Sequence, residues 1–161
     1  MDLLVRHSDY ALRVLVYIAA GKGRVVSAKE LKEALGLPYA FIRKICQVLQ
    51  LSGYLFSFKG KGGGFCLKKK ADKIFILDVL RLFQGGVNFT HCCLRGAPCP
   101  NRKRCPIRME VKDAERLVIK RLRNVTVDYL RNRGGKDVLF SMSGGGGEQR
   151  LCGKRGVRQR R

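Results

Sequence analysis

The stretch "SAKELKEALGLPYAFIRKICQVLQLSGYLFSFKGKGGGFCL", Ser27 to Leu67, decides the fold. It opens on "SAKE", the pattern of a capping box, in which a serine oxygen and a glutamate three positions on satisfy orphan N–H groups at a helix start. A short helix runs from there to Leu35, Gly36 and Pro38 make a turn, and "YAFIRKICQVLQL" continues as a second helix. "YLFSF" reads as a strand, "KGKGGG" as a turn that needs positive backbone angles, and "FCL" as the returning strand. Helix, glycine turn, helix and hairpin in that order form a winged helix-turn-helix. The glycines do not make a phosphate-cradling loop, which must follow a strand and open a helix; these lie between two strands.

Working outward, Ser8 is expected to cap a helix through "DYALRVLVYIAA" that stops at Gly21 and is apolar on nearly every side, hence buried. Behind the hairpin, "IFILDVLRLFQ" forms an amphipathic helix ending at Gly85-Gly86. A long helix is expected from Ile107 to Asn124, with Ile107, Val111, Ala114, Val118 and Leu122 as one apolar stripe that packs on the domain or on a second subunit. A symmetric dimer would suit palindromic DNA. Thr126 is placed to cap a last helix, "VDYLRNR". The expected fold is mainly α with a small β-hairpin wing. It divides into a winged helix-turn-helix over 1–84, a cysteine-rich loop over 85–106, a dimerisation helix region over 107–133 and a basic tail, 134–161, whose composition points to disorder.

Charge indicates the partner. The 161 residues carry a net +22, and without the tail from Ser141 onward they still carry +17. Such a field attracts polyanions, nucleic acid first and anionic membrane next. From Arg43 to Lys73 there are eight basic side chains and one acid, all eight basic residues on the second helix, the wing or the segment just behind it. A charge run is otherwise a solvated surface, but this placement favours double-stranded DNA. No apolar run approaches the roughly eighteen residues of a membrane span, and the first residues lack a secretion signal, so a cytoplasmic protein is expected. In that compartment seven cysteines, an odd number, speak against a disulfide framework and for metal or redox chemistry.

Four of the seven fall in "HCCLRGAPCPNRKRCPI", His91 to Ile107. Cys93, Cys99 and Cys105 are separated by five residues each, wider than the two to four of ordinary zinc knuckles. Spacers of that length, stiffened by Pro98, Pro100 and Pro106, suit a loop wrapped around an iron–sulfur cluster. Arg95, Arg102, Lys103, Arg104 and Arg108, with no acid among them, offset the negative charge of such a centre. The competing reading is three spare thiols in a surface loop. Cys46 and Cys66 are expected to be small core residues.

"SDYALR", the helix-turn-helix, the wing "KGKGGGF", the C-x5-C-x5-C loop and the long helix after it, in that order over Met1 to Arg133, resemble the Rrf-two family of bacterial winged-helix regulators of the IscR and NsrR type. The resemblance implies a homodimeric repressor or activator, with a 2Fe–2S or 4Fe–4S cluster on Cys93, Cys99 and Cys105 whose state sets affinity for a DNA operator. It also aligns Ala40 and Arg43 with base-contacting positions and puts Lys59 where the family has a wing arginine. The basic set adds Lys44 and Lys61 as DNA contacts. The histidine ligand of IscR-type members is replaced by Arg108, which cannot ligate. NsrR-type members use an acid from the first helix of the other subunit, and Asp9 of the partner subunit matches it. The same acid also suits the first turn of its own helix.

The expectation is therefore a DNA-binding regulator and no enzyme, reporting oxygen, nitric oxide or iron status. Two other classes compete with it: a thiol-redox or cluster-carrying enzyme, and a basic RNA-binding module with a structural metal. The first needs a base in a substrate pocket, and His7 and His91 are the two histidines; the second needs stacking aromatics on a sheet, which a short wing does not provide.

Overall fold

A computed structural model of the chain describes residues 4–89, 93–94, 97–133 and 152. Helix α1 (Arg6–Ala20) is the axle of the core. Val14, Leu15, Tyr17 and Ile18 are all buried on it, against helices and hairpin on every side. Each such aliphatic side chain contributes about 1.5–3 kcal/mol. The helix starts three residues before the expected position, with Val5 at the cap and Ser8 buried inside it. The Val5 N–H is taken by Gln84 Oε1 at 3.2 Å, so α1 begins against the end of a later helix and needs no serine there.

Helix α2 (Ala28–Leu35) is capped by Ser27, whose Oγ accepts the Glu30 N–H at 3.1 Å. Gly36, at φ +64°, ends it in the left-handed conformation that glycine tolerates. The return half of the expected capping box gives way to a stronger partner: the Glu30 carboxylate binds Tyr17 and Arg24 instead. Helix α3 (Tyr39–Leu51) buries Ile42, Ile45, Cys46 and Leu49 and matches its expected bounds. Strands β1 (Leu55–Phe58) and β2 (Gly64–Leu67) pair antiparallel, Leu55 opposite Leu67 and Phe58 opposite Gly64, leaving 59–63 as the tip. Val26 adds a bridge to the outer edge of β2 through Phe65.

A short turn leads to helix α4 (Ile76–Gln84). The cysteine loop carries a small hairpin that the sequence did not suggest, β3 (Cys93–Leu94) with β4 (Ala97–Pro98), before helices α5 (Pro106–Leu122) and α6 (Val127–Arg133). Thr126 Oγ1 accepts the Tyr129 N–H at 3.1 Å, the expected cap. The expected boundary at 107 is not kept by the core. Val127 donates to Ile74 and Ile76 to Val125, at 2.9 and 3.0 Å, and Val125 and Val127 are buried against the same core as α1. Helix α6 thus completes the winged-helix unit. The expected α5 stripe also divides: Val118 and Leu122 pack on the core together with Ile119, while Ile107 is 75% exposed, beside Met109 and Leu117 at 57% and 68%.

Cys66 corrects a further expectation. It is buried on β2 but is no isolated core thiol, being disulfide-bonded to Cys152 across 86 positions, with a Cα–Cα distance of 6.4 Å. The Cys152 N–H donates to the Gly23 carbonyl at 2.7 Å. The remaining tail positions, 134–151 and 153–161, lie outside the described residues.

Candidate nucleic-acid interface and cysteine loop

Burial of Ile42, Ile45, Cys46 and Leu49 leaves the opposite side of α3 in solvent, and every residue on it follows from the 3.6 period. Tyr39, Ala40, Arg43, Lys44, Gln47 and Gln50 are all exposed and all line one cleft of about 930 Å³. The second wall is the wing, from Ser57 through Lys59 and Gly60 to Phe65, and the floor is the start of α2 at Ser27, Ala28 and Lys29. The cleft is lined by four cations and no acid. Arg43, Lys44 and Lys59 have no ion-pair partner among the described residues, so their charge is directed at whatever enters.

Four of the five expected DNA-contacting residues, Ala40, Arg43, Lys44 and Lys59, are thus brought to one cleft. Lys61 is exposed at the hairpin tip, outside the lining. The basic run Lys68 to Lys70 is elsewhere too: with Lys22, Gly23, Asp72, Asp128 and Arg131 it lines a second hollow of about 500 Å³. Lys68 and Lys69 lie over the Phe56 and Tyr54 rings, 5.5 and 4.7 Å from their centroids. Gln47 and Gln50 were readable from the helical period and were not singled out; Ser27, Lys29 and Ser57 reach the cleft only through tertiary folding.

The walls are fixed from behind. Tyr17 Oη donates to Glu30 Oε1 at 2.9 Å and Arg24 Nη1 to Oε2 at 2.9 Å, which locks α1, the α1–α2 linker and α2 together. Burial works against a charged Glu30, but the Arg24 and Tyr17 hydrogen bonds outweigh it and hold the carboxyl below its ordinary range. Burial and the same carboxylate push the Tyr17 phenol up.

In the cysteine loop, Cys93 lies in β3 opposite Pro98, with only its backbone described. Cys99 and Cys105 are free, half-buried thiols at successive N-caps: Cys99 opens a short turn and Cys105 opens α5, where its carbonyl accepts the Met109 N–H at 3.1 Å. Arg102, Lys103 and Arg104 separate them. Among the described residues no three His, Cys, Asp or Glu side chains converge as a metal site; the Cys93 side chain, Cys92 and His91 lie outside them. The donor chemistry fits a thiolate-held cluster, since two unpaired thiols and the backbone of a third share one cationic loop. Glu115, missed in the sequence, is buried and ties this loop to α5. It accepts the Phe89 N–H at 3.1 Å and Lys112 Nζ at 2.6 Å. Burial opposes its charge, but Lys112 and Phe89 hold its carboxyl below the ordinary range. Asp9, in the first turn of α1, accepts Arg13 Nε at 2.8 Å.

Helix-turn-helix, wing and cationic cleft define a DNA-binding transcriptional regulator rather than an enzyme. A family model described as Rrf2, iron-dependent transcriptional regulator, matches residues 4–133, and the chain belongs to this family. It is 36% identical over 90 residues to a protein of Aquifex aeolicus described as an HTH-type transcriptional regulator, a match spanning 56% of this chain and 62% of that protein's length. It is 27% identical over 128 residues to protein aau3 of Rhizobium meliloti, covering 79% of this chain and 83% of the relative. Among solved structures the fold is similar to that of T. potens IscR, with TM-score 0.65 and 19% identity, over 88% of this chain and 93% of that one. It is also similar to CymR, the global cysteine regulator of B. subtilis, with TM-score 0.64 and 22% identity, over 83% and 98% of the two chains.

Proposed function

We propose that the chain is a cytoplasmic, homodimeric, iron–sulfur-dependent regulator that seats α3 and the wing on double-stranded operator DNA. The single observation that carries the DNA part is the acid-free cleft between α3 and the wing. Arg43 can donate two hydrogen bonds to a guanine edge, Ala40 leaves room for a close major-groove approach, and Lys44, Lys59 and Lys61 take phosphates or, for Lys59, the minor groove. The exposed Ile107, Met109 and Leu117 on α5 support a second copy as partner.

Cys93, Cys99 and Cys105 would hold a 2Fe–2S or 4Fe–4S cluster, with Asp9 of the partner subunit as candidate fourth ligand. When bound, such a cluster supplies a centre sensitive to oxygen, nitric oxide or iron shortage. The chain's own part is mechanical. Cys105 caps α5 and Glu115 clamps α5 to Phe89, so a change in the loop is passed to the helix that would meet the second subunit.

Anaerobic purification with visible absorption, Mössbauer spectra and sulfide analysis, followed by selection of bound duplexes from a random pool, tests both parts. A cluster and a selected operator are expected. Stoichiometric zinc without acid-labile sulfide would overturn the cluster, and duplex binding without selection would overturn the operator.

A further inference from the structure

The Cys66–Cys152 pair lies outside both the cleft and the cysteine loop. Cys66 is fully buried on β2, two residues from Gly64, which lines the DNA cleft. Cys152 is half-buried and held by Gly23, and Gly23 lines the second hollow together with Lys22 and Lys68 to Lys70. Directly after Cys152 come Lys154, Arg155, Arg158, Arg160 and Arg161, five cations in eight residues. The disulfide therefore fixes Cys152, the residue from which these cations follow in sequence, beside a surface rich in lysine, and a covalent bond can hold like charges near one another against Coulomb repulsion. From the anchor, the nine residues that follow reach at most about 30 Å, which includes the edge of the cleft.

We infer that Cys66 and Cys152 form a reversible dithiol–disulfide pair which, when oxidised, adds the terminal cations to the surface that binds duplex DNA. The oxidant class is a low-molecular-weight disulfide. The Cys152 thiolate attacks one of its sulfurs, forming a mixed disulfide and releasing one small thiolate. The Cys66 thiolate then attacks the Cys152 sulfur and releases the second, so two protein thiols and one small disulfide become one protein disulfide and two small thiols. Anchoring raises the effective concentration of the five cations at phosphates flanking the cleft, and reduction frees them. This role rests on the DNA-binding reading, whereas the pairing of the thiols does not.

The test uses the full chain treated with oxidised glutathione or with dithiothreitol, read by peptide mapping and by the salt dependence of binding to a duplex that spans the site. A linked Cys66–Cys152 peptide is expected in the oxidised protein, with a log–log salt slope steeper by about two to four counterions than in the reduced protein. Cys152→Ser, which leaves the buried Cys66 in place to protect folding, should show no oxidant effect beyond that of the loop thiols it shares with the wild type. Joint replacement of the five terminal cations by Gln should keep the linked peptide and lose the slope difference. Absence of the linked peptide, a change of slope on oxidation in Cys152→Ser as large as that of the wild type, or equal slopes in the two states of the wild type would overturn the inference. If neither state nor the variant bound duplex, the DNA-binding reading would fall and the tail's role with it, while the peptide map would still decide the pairing.

Discussion

Val26 and Phe65 exchange both backbone hydrogen bonds, each 2.8 Å, so the linker before α2 forms a third edge to the wing. The wing is thereby tied to the start of the helix-turn-helix, and the two walls of the cleft keep their spacing. Gly64 allows it, since a Cβ there would run into the Val26 carbonyl. Gly64→Ala should cost about 1–3 kcal/mol through overpacking, measured by urea unfolding, and should weaken duplex binding as the wing is displaced. Unchanged stability and affinity would show that the bridge yields without effect on the cleft.

The basic residues of the cleft should separate by role. Arg43→Ala should lose about 1–3 kcal/mol of discrimination at one base pair, seen as relaxed preference in a binding-site series. Lys59→Ala should weaken all duplexes alike and reduce the salt slope by about one counterion. Lys61, at the tip and outside the lining, should have the smaller effect of the two lysines. Full selectivity in Arg43→Ala together with an unchanged slope in Lys59→Ala would move the interface elsewhere.

Glu30 should make stability pH-dependent. Its carboxyl is held below its ordinary value, so the folded state gains from its ionised form above the ordinary carboxylate range and loses that gain as pH falls through the lowered value. Glu30→Gln should therefore be less stable than the wild type by about 1–3 kcal/mol near neutral pH, and the gap should close in acid. A gap that persists unchanged in acid would mean that packing, and not the charge on Glu30, holds the three groups together.

Features governed by short-range pattern were legible in the sequence, and those that depend on distant segments meeting were not. Ser27, Gly36 and the 3.6 period of α3 each act within a turn or two, so the helix-turn-helix and the exposed face of α3 could be read directly. The wing followed from strand residues flanking glycines. The destination of the Glu30 carboxylate depends on Arg24 and on Tyr17, thirteen positions away on another helix. The addition of α6 to the core depends on pairing between residues near 75 and near 126, and Cys66 meets a thiol 86 positions on. The basic run at Lys68 to Lys70 was assigned to the DNA face because charge counting ignores direction; the strand turns it toward the second hollow.

Thiol reactivity offers a check on the cysteine assignments. Cys46 is fully buried on α3, and burial pushes its thiol up to about 12, so it should stay unlabelled by iodoacetamide in the folded protein at neutral pH. Cys99 and Cys105 are half-buried and free, and should be labelled in cluster-free protein but protected when a cluster is present. Labelling of Cys46 at the rate of the loop thiols would contradict the packing of α3.

Asp9 gives the sharpest test of the fourth ligand. In its own helix it meets Arg13 at 2.8 Å, an i,i+4 pair whose side chains are 29% and 53% exposed. Such a pair contributes only about 0.3–0.5 kcal/mol, so losing it cannot unfold the protein or empty a cluster site. Arg13→Ala removes the same pair and leaves the carboxylate, which makes it the control. If Asp9 of the partner subunit completes the site, Asp9→Ala should destabilise the reconstituted cluster and change switching on the operator, while Arg13→Ala should do neither. Cys92→Ala and His91→Ala remove the two donors nearest in sequence to Cys93. A normal cluster spectrum in Asp9→Ala, with loss in either of those two, would place the ligand within one chain, and α1 would then have no direct hold on the cluster of the other subunit.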